Sequence, residues 1–118
     1  MPARTIRFHV PESASRTDDE IQDEFDDLVT RACEGDRHAL TALAIAYSNM
    51  LLKEARAEMG HFKQDAGDVL ADFYRAVMEG EALFDPDEER AGVWMRRIVR
   101  ELARRYRAAR ERDWGIDR

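Results

Sequence analysis

The chain has 118 residues, of which 44% are hydrophobic and 37% are charged, and its formal net charge is −6. This length accommodates one domain with a single core. The single cysteine, Cys33, excludes an intrachain disulfide, and no apolar run approaches the roughly 20 residues of a membrane span. No secretory signal is recognisable, so we expect a soluble, cytoplasmic protein with no membrane association.

The N-terminal residues 1–16 are predicted to form a flexible arm. Polar and apolar side chains alternate over Thr5–Val10, which favours a short strand that ends at Pro11. Because the sequence offers no partner strand, an isolated strand would be only marginally stable. The folded domain is predicted to span residues 17–112, followed by a tail at 113–118.

The first helix is predicted to begin with a capping box, in which Thr17 is the cap and Glu20 follows three residues later. Gly35 is predicted to supply the turn that ends it. Its apolar side chains recur at helical spacing and comprise Ile21, Phe25, Leu28, Val29 and Ala32. Its other face is acidic and comprises Asp19, Asp23, Asp26 and Asp27.

A second helix is predicted to start after an Asp36 cap and to run to about Met59. Its predicted buried stripe comprises Leu40, Leu43, Ala44, Tyr47, Leu51 and Ala55. A connector follows, in which Phe62 is expected to enter the core. Asp65 is predicted to cap a third helix that ends at Gly80. The predicted inward side chains of this helix are Val69, Leu70, Phe73 and Val77.

A loop at Glu81–Gly92 leads into the last predicted helix, Ala91–Arg112, which has the strongest charge pattern in the chain. Its apolar side comprises Trp94, Ile98, Leu102, Tyr106 and Ala109. Its polar side comprises Arg96, Arg100, Arg104 and Arg107, with Arg97 beside them. Residues 90–118 carry a net charge of +6, whereas residues 1–89 carry −12. The stripe is therefore either a surface that contacts nucleic-acid phosphates or a solvated outer face.

No catalytic constellation is evident in the sequence. The histidines His9, His38 and His61 are scattered and have no metal-ligand spacing. Cys33 has no neighbouring His or Lys that would activate its thiol, so we expect it to be a buried filler. The chain has no glycine-rich phosphate loop and no hydrolase motif. We therefore expect neither an enzyme nor a cofactor.

These elements predict an all-α fold, a compact bundle of four helices. The informative segments, in order, are Leu28-Val29 with Ala32, Gly35-Asp36, Ala39-Leu40 with Leu43, Asp65–Val69 with Phe73, Phe84-Asp85-Pro86, and Trp94–Arg100 with Leu102-Ala103. Together they resemble region 2 of bacterial RNA polymerase sigma factors, most closely the extracytoplasmic-function group of the sigma-70 family. The resemblance covers about Asp26–Arg110.

The resemblance implies two partners. The third helix would dock on the clamp helices of the largest subunit of core RNA polymerase, through an acidic face of Asp65, Asp68, Asp72 and Glu79. The loop and the last helix would capture unpaired bases of the −10 promoter element. The DNA contacts implied in this way are Arg90, Arg96, Arg97, Arg100, Arg104 and Arg107. Trp94 could stack on a base, but its helical phase favours the core.

The chain departs from the family pattern in two helices and in the loop between them. Ala71-Asp72 stands where the family has Gln-Glu, and Glu101 and Arg105 stand where it has Asn and Asp. The segment 85–89 contains four acidic residues. These carboxylates would repel DNA unless they accept hydrogen bonds from backbone amides or base edges.

Complete factors of this group carry a second helical domain that reads the −35 element, and these 118 residues contain no counterpart. The chain is therefore either a fragment or a stand-alone protein that needs a separate −35-reading subunit; an anti-sigma factor is a further candidate partner. Two other functions stay open. One is a protein–protein adaptor that keeps the sigma-like fold without productive DNA contact. The other is an oligomerisation domain whose N-terminal arm swaps between protomers.

Overall fold

A computed structural model describes residues 18–114 of the chain. Its helices are α1 (Asp18–Cys33), α2 (Arg37–Met59), a 3-10 helix (Gly60–Asp65), α3 (Ala66–Met78) and α4 (Ala91–Trp114). None of the described residues lies in a strand, which confirms the all-α prediction for this part of the chain. The predicted arm, its strand and the Thr17 cap lie outside the described residues. The last helix extends to Trp114, two residues beyond its predicted end at Arg112.

The prediction of four separate helices is wrong in one respect. The helices α2 and α3 are joined directly by the 3-10 helix, with no loop between them, so residues 18–114 form three helical segments. The chain bends inside the middle segment, where Gly60 has a φ of 58° and Phe62 has non-helical φ and ψ of −101° and 18°. Phe62 is buried, as predicted, and its insertion into the core accompanies this bend.

Local sequence signals explain the other helix ends. The Asp36 side chain caps α2 and accepts hydrogen bonds from the amides of His38 at 2.9 Å and Ala39 at 3.1 Å. Gly35 and Gly80 have φ values of 95° and 74°, a region that favours glycine, and they follow α1 and α3 respectively. These turns were predicted correctly.

The core lies between α2, α3 and α4, with α1 packed against them. Its largest fully buried side chains include Trp94, Phe73, Leu43, Leu51 and Met59. Burying an apolar side chain of this kind contributes about 1.5–3 kcal/mol, so these contacts dominate the packing energy.

The direction of each helix follows from its cross-contacts with α4. Phe73 contacts Trp94, and Asp65 contacts Tyr106, so α3 runs antiparallel to α4. Glu54 meets Arg100 and Glu58 meets Arg104, so α2 runs parallel to α4 along this contact.

The buried stripe of α4 is rotated from the predicted one. Met95, Val99 and Ala103 are fully buried, whereas Ile98 and Leu102 are only partly buried. The helix packs against α2 as well as α3, so its buried face extends around to the side that carries the smaller residues. The arginines at the edge of this face consequently lie beside α2.

Candidate functional site

The first turn of α4 is fixed by a carboxylate from α1. One oxygen of Asp26 accepts a 2.7 Å hydrogen bond from the backbone amide of Ala91, and the other lies 3.3 Å from Arg90. Asp26 is only 7% exposed, although helical spacing places it on the acidic face opposite the apolar side chains of α1. A carboxylate is favoured here because the first amides of a helix lack partners and carry partial positive charge. Arg90 also pairs with Asp23 at 3.3 Å, so this predicted DNA contact is tied to α1.

Trp94 belongs to the core, as its helical phase predicts, because it is 1% exposed. Its indole N–H donates a 2.9 Å hydrogen bond to the carbonyl of Leu83. Its ring packs against Phe84, with ring centroids 5.2 Å apart, and against Phe73 at 5.9 Å. The tryptophan therefore holds the loop before α4 onto the bundle and has no free face for stacking a base.

Two carboxylates of the acidic segment 85–89 accept hydrogen bonds from groups of the protein. The Asp85 side chain accepts the amide of Asp87 at 2.9 Å, which is a local turn of the kind that aspartate favours. The Glu89 carboxylate accepts a hydrogen bond from Nε of Arg97 at 3.2 Å. This bond raises the pKa of Arg97, so the guanidinium stays charged. Asp87 and Glu88 are exposed.

Three arginines of the predicted DNA-contact set form contacts with α2. Arg100 pairs with Glu54 at 3.4 Å, and Arg104 pairs with Glu58 at 2.9 Å. Arg107 donates to the backbone carbonyl of Glu58 at 3.3 Å and pairs with Glu111 at 3.1 Å within α4. Glu54 and Glu58 were not predicted as partners of the stripe, although their four-residue spacing matches that of Arg100 and Arg104.

The six arginines in the predicted set thus differ in how available they are. Arg96 is half-buried and has no ion pair within residues 18–114. The other five have a carboxylate within 4.0 Å. Arg104 is the most exposed of these five, with 62% of its side chain open to solvent, and Arg97 and Arg107 follow at 44% each. Most arginines of the stripe are therefore already paired with a carboxylate. A ligand that binds one of these arginines must share it with that carboxylate or displace the carboxylate.

The acidic face of α3 lies opposite its buried stripe, as predicted. Asp68 and Asp72 are exposed, while Val69 and Phe73 face the core. Arg75 lies on the same side of the helix. Its guanidinium is 2.8 Å from Glu79, 3.5 Å from Glu81 and 4.0 Å from Asp72. Contact with these carboxylates raises the pKa of Arg75.

Asp65 does not act as the predicted helix cap, because its side chain makes no capping hydrogen bond. Its carboxylate instead accepts a 2.8 Å hydrogen bond from the hydroxyl of Tyr106 on α4. This hydrogen bond, together with burial, raises the pKa of the tyrosine. Asp65 therefore links α3 to α4, whereas Asp68 and Asp72 remain open to a partner.

A cleft of about 350 Å³ separates the outer faces of α3 and α4. Its apolar lining includes Ile98 and Leu102, and Asp72 and Arg105 contribute charged groups. Arg105 is exposed and has no ion pair within the described residues. It was not included among the predicted contacts, although its place on the arginine-rich helix could have suggested it.

Residues 18–114 give little support for a metal site, a reactive cysteine or a membrane-spanning helix. No group of three metal-ligating side chains occurs among the described residues. Cys33 is half-buried, its thiol lies 3.5 Å from the carbonyl of Ala82, and burial raises its pKa, which fits the predicted filler role. None of the described helices combines the length and apolar character needed to cross a membrane.

Comparisons of the chain with protein-family models, with curated proteins and with solved structures gave no match.

Proposed function

We propose that the chain is a transcription-initiation module built like region 2 of a sigma factor. In this proposal the exposed acidic face of α3 binds the clamp helices of core RNA polymerase, and α4 with the loop before it contacts the −10 promoter element. The observation that carries it is the placement of two oppositely charged faces on adjacent helices. Asp68 and Asp72 are exposed on α3, while Arg97 and Arg104 are exposed on α4.

The aromatic contact between these helices supports the proposal. Phe73 on α3 and Trp94 on α4 are both buried and lie against each other, so the two charged faces are held in a fixed relative position. A module that binds polymerase with one helix and DNA with the next requires such rigidity, because an error in either position would misalign the other.

The DNA contact can be tested with a single-stranded −10-type oligonucleotide. Binding is measured by fluorescence anisotropy at about 50 and about 200 mM salt, because the loss of affinity with salt counts the neutralised phosphates. Substituting both Arg97 and Arg104 by Ala should reduce the slope of the salt dependence by about 1.4, or about 0.7 per lost single-strand phosphate contact.

The matched control replaces Arg37 and Arg56, two exposed arginines of α2, by Ala. Neither of them forms an observed ion pair with α4. This variant has the same net charge as the Arg97 and Arg104 variant. If both variants lose affinity equally, only overall charge matters and α4 is not a DNA surface. If the unmodified protein does not bind at low salt, direct promoter contact is wrong.

The polymerase contact is tested separately by substituting Asp68 and Asp72 with Ala. We expect reduced capture of core RNA polymerase, since carboxylates on the exposed face would lose charge-assisted hydrogen bonds to basic clamp residues. A variant with Asp27 and Glu34 replaced by Ala removes the same charge from exposed positions at α1 and just after it. Undiminished capture by the Asp68 and Asp72 variant would contradict the proposed role of α3.

A second candidate is an adaptor that uses the same polymerase contact without binding DNA. The observation that favours it is the neutralisation of the arginine stripe, in which five of six predicted contacts already have a carboxylate partner. The two candidates are separated by combining the tests above. Polymerase capture that depends on Asp68 and Asp72, without oligonucleotide binding, would select the adaptor.

A further inference from the structure

The seam between α2 and α4 places two carboxylates in register with the arginine stripe. Glu54 and Glu58 are one helical turn apart, and each meets an arginine 46 residues further along the chain, Arg100 and Arg104 respectively. The side chains of Glu54 and Glu58 are only 27% and 26% exposed, so they lie within the seam. The same offset in both pairs shows that α2 and α4 run parallel here with matched spacing.

We propose that Glu54 and Glu58 compete with nucleic-acid phosphates for Arg100 and Arg104, and thereby regulate the positive charge that α4 presents to a ligand. This inference rests on the proposed DNA contact of α4. A phosphate oxygen accepts a guanidinium hydrogen bond with geometry similar to that of a carboxylate oxygen. A phosphate approaching Arg100 or Arg104 must therefore replace a bond that the fold already makes, and it is repelled by the displaced carboxylate.

The exchange is feasible because the arginine of each pair is open to water, with the side chains of Arg100 and Arg104 36% and 62% exposed. Pairs with solvent-exposed partners contribute little to stability, since water and salt screen them. The backbone bond from Arg107 to the Glu58 carbonyl would hold the third arginine nearby during the exchange. A single phosphate competes poorly with two carboxylates, whereas a strand that offers consecutive phosphates competes at several positions together. The two carboxylates therefore favour binding of a nucleic-acid strand over binding of an isolated anion.

The test uses the full chain with Glu54→Gln and Glu58→Gln combined. Glutamine keeps the size and the accepting oxygen of glutamate but removes the negative charge. We expect this variant to bind the single-stranded oligonucleotide about tenfold more tightly than the unmodified protein at low salt. The control is Asp27→Asn with Glu34→Gln, which changes net charge equally but involves exposed residues outside the seam. The control should change affinity less than about threefold.

The possible outcomes distinguish a failure of this inference from a failure of the proposed DNA contact. Binding by the unmodified protein, with no greater gain in the seam variant than in the control, would overturn the inference and leave the DNA contact standing. Absence of binding by all three proteins would overturn both. Circular dichroism checks folding, and the single variants Glu54→Gln and Glu58→Gln decide the matter if the double variant unfolds. Each single variant should gain about threefold.

A second measurement follows the exchange directly. The Nε–H group of Arg104 donates to Glu58, so its proton and nitrogen resonances report that bond. Its signal, identified by its loss in Arg104→Lys, should move in Glu58→Gln and also when the oligonucleotide binds the unmodified protein. A signal that the bound oligonucleotide leaves unmoved would overturn the exchange.

Discussion

The two halves of α4 are held in place by different forces. Residues 91–99 are fixed by burial and by the Asp26 carboxylate, and four of them, Ala91, Trp94, Met95 and Val99, are fully buried. Residues 100–113 contain one fully buried side chain, Ala103, and otherwise contact their neighbours mainly through charged and polar groups. The first half is therefore anchored, while the second can change partners.

This difference indicates that residues 91–99 of α4 have a structural role, whereas residues 100–113 can respond to a ligand. Buried apolar contacts are lost only at a large cost in stability, because a cavity replaces them. Exposed ion pairs contribute little and are easily exchanged. The arginines that the fold holds loosely are those that a phosphate could recruit.

The largest expected effect is that of Trp94→Ala. Removing a fully buried indole should lower the free energy of unfolding by about 3–5 kcal/mol, through lost burial and the cavity that remains. Denaturant unfolding followed by circular dichroism measures this change. Trp94→Phe, which retains a ring but loses the bond to Leu83, should cost less. Equal stability of Trp94→Ala and the unmodified protein would refute the anchoring of the first half.

A smaller loss is expected for Asp26→Ala. This variant leaves the Ala91 amide and Arg90 without their buried acceptor, which should destabilise the protein by about 2 kcal/mol. Asp26→Asn keeps an accepting oxygen and should be less destabilising. Chemical denaturation of the two variants separates the contribution of the hydrogen bond from that of the charge. If Asn and Ala were equally harmful, the charge would be the main contributor.

The Tyr106 hydroxyl tests the polar link between α3 and the second half of α4. Tyr106→Phe should cost about 1 kcal/mol, the usual net value of one hydrogen bond. The hydrogen bond to Asp65 raises the pKa of the tyrosine, so its contribution is fully present below the unfolded tyrosine pKa of about 10. That contribution is lost as the pH rises through the folded pKa.

The phenylalanine variant should therefore show a shallower fall of stability above about pH 10 than the unmodified protein. Denaturant midpoints measured on both sides of that pH check this difference. Parallel pH profiles for the two proteins would contradict the assigned hydrogen bond.

The smallest effect is expected from Arg104→Ala. Its pair with Glu58 is largely solvent-exposed on the arginine side, so stability should change by less than about 0.5 kcal/mol. Thermal unfolding at low and high salt measures the change and its screening. A loss as large as that of Asp26→Ala would show that the second half of α4 is anchored after all.

The sequence predicted the regular features of the fold because local signals set them. Asp36 and Gly35 mark a helix boundary that depends on neighbouring residues alone, and the burial of Phe73 and Trp94 follows from helical periodicity. The join between α2 and α3 was missed because a glycine and a polar connector usually separate helices. Here a 3-10 helix continues through Phe62.

The site was predicted less well, because charge partners are set by tertiary packing. Arg100 and Arg104 were expected on an outer face, yet their carboxylates come from α2, which is 46 residues away in sequence. Asp26 was grouped with the other acidic residues of α1, because helical spacing alone places it opposite the apolar side chains. Its partner, the Ala91 amide, carries no side-chain signature that a sequence pattern could reveal.

The contact between Asp26 and Ala91 also bears on how the chain folds. It closes a loop of 65 residues, so the last helix receives its cap only after the first helix has docked. The start of α4 should therefore form late and lose its protection only when the whole domain opens. Hydrogen exchange at the Ala91 amide is expected to report global unfolding, whereas amides near Trp114 should exchange through local fraying.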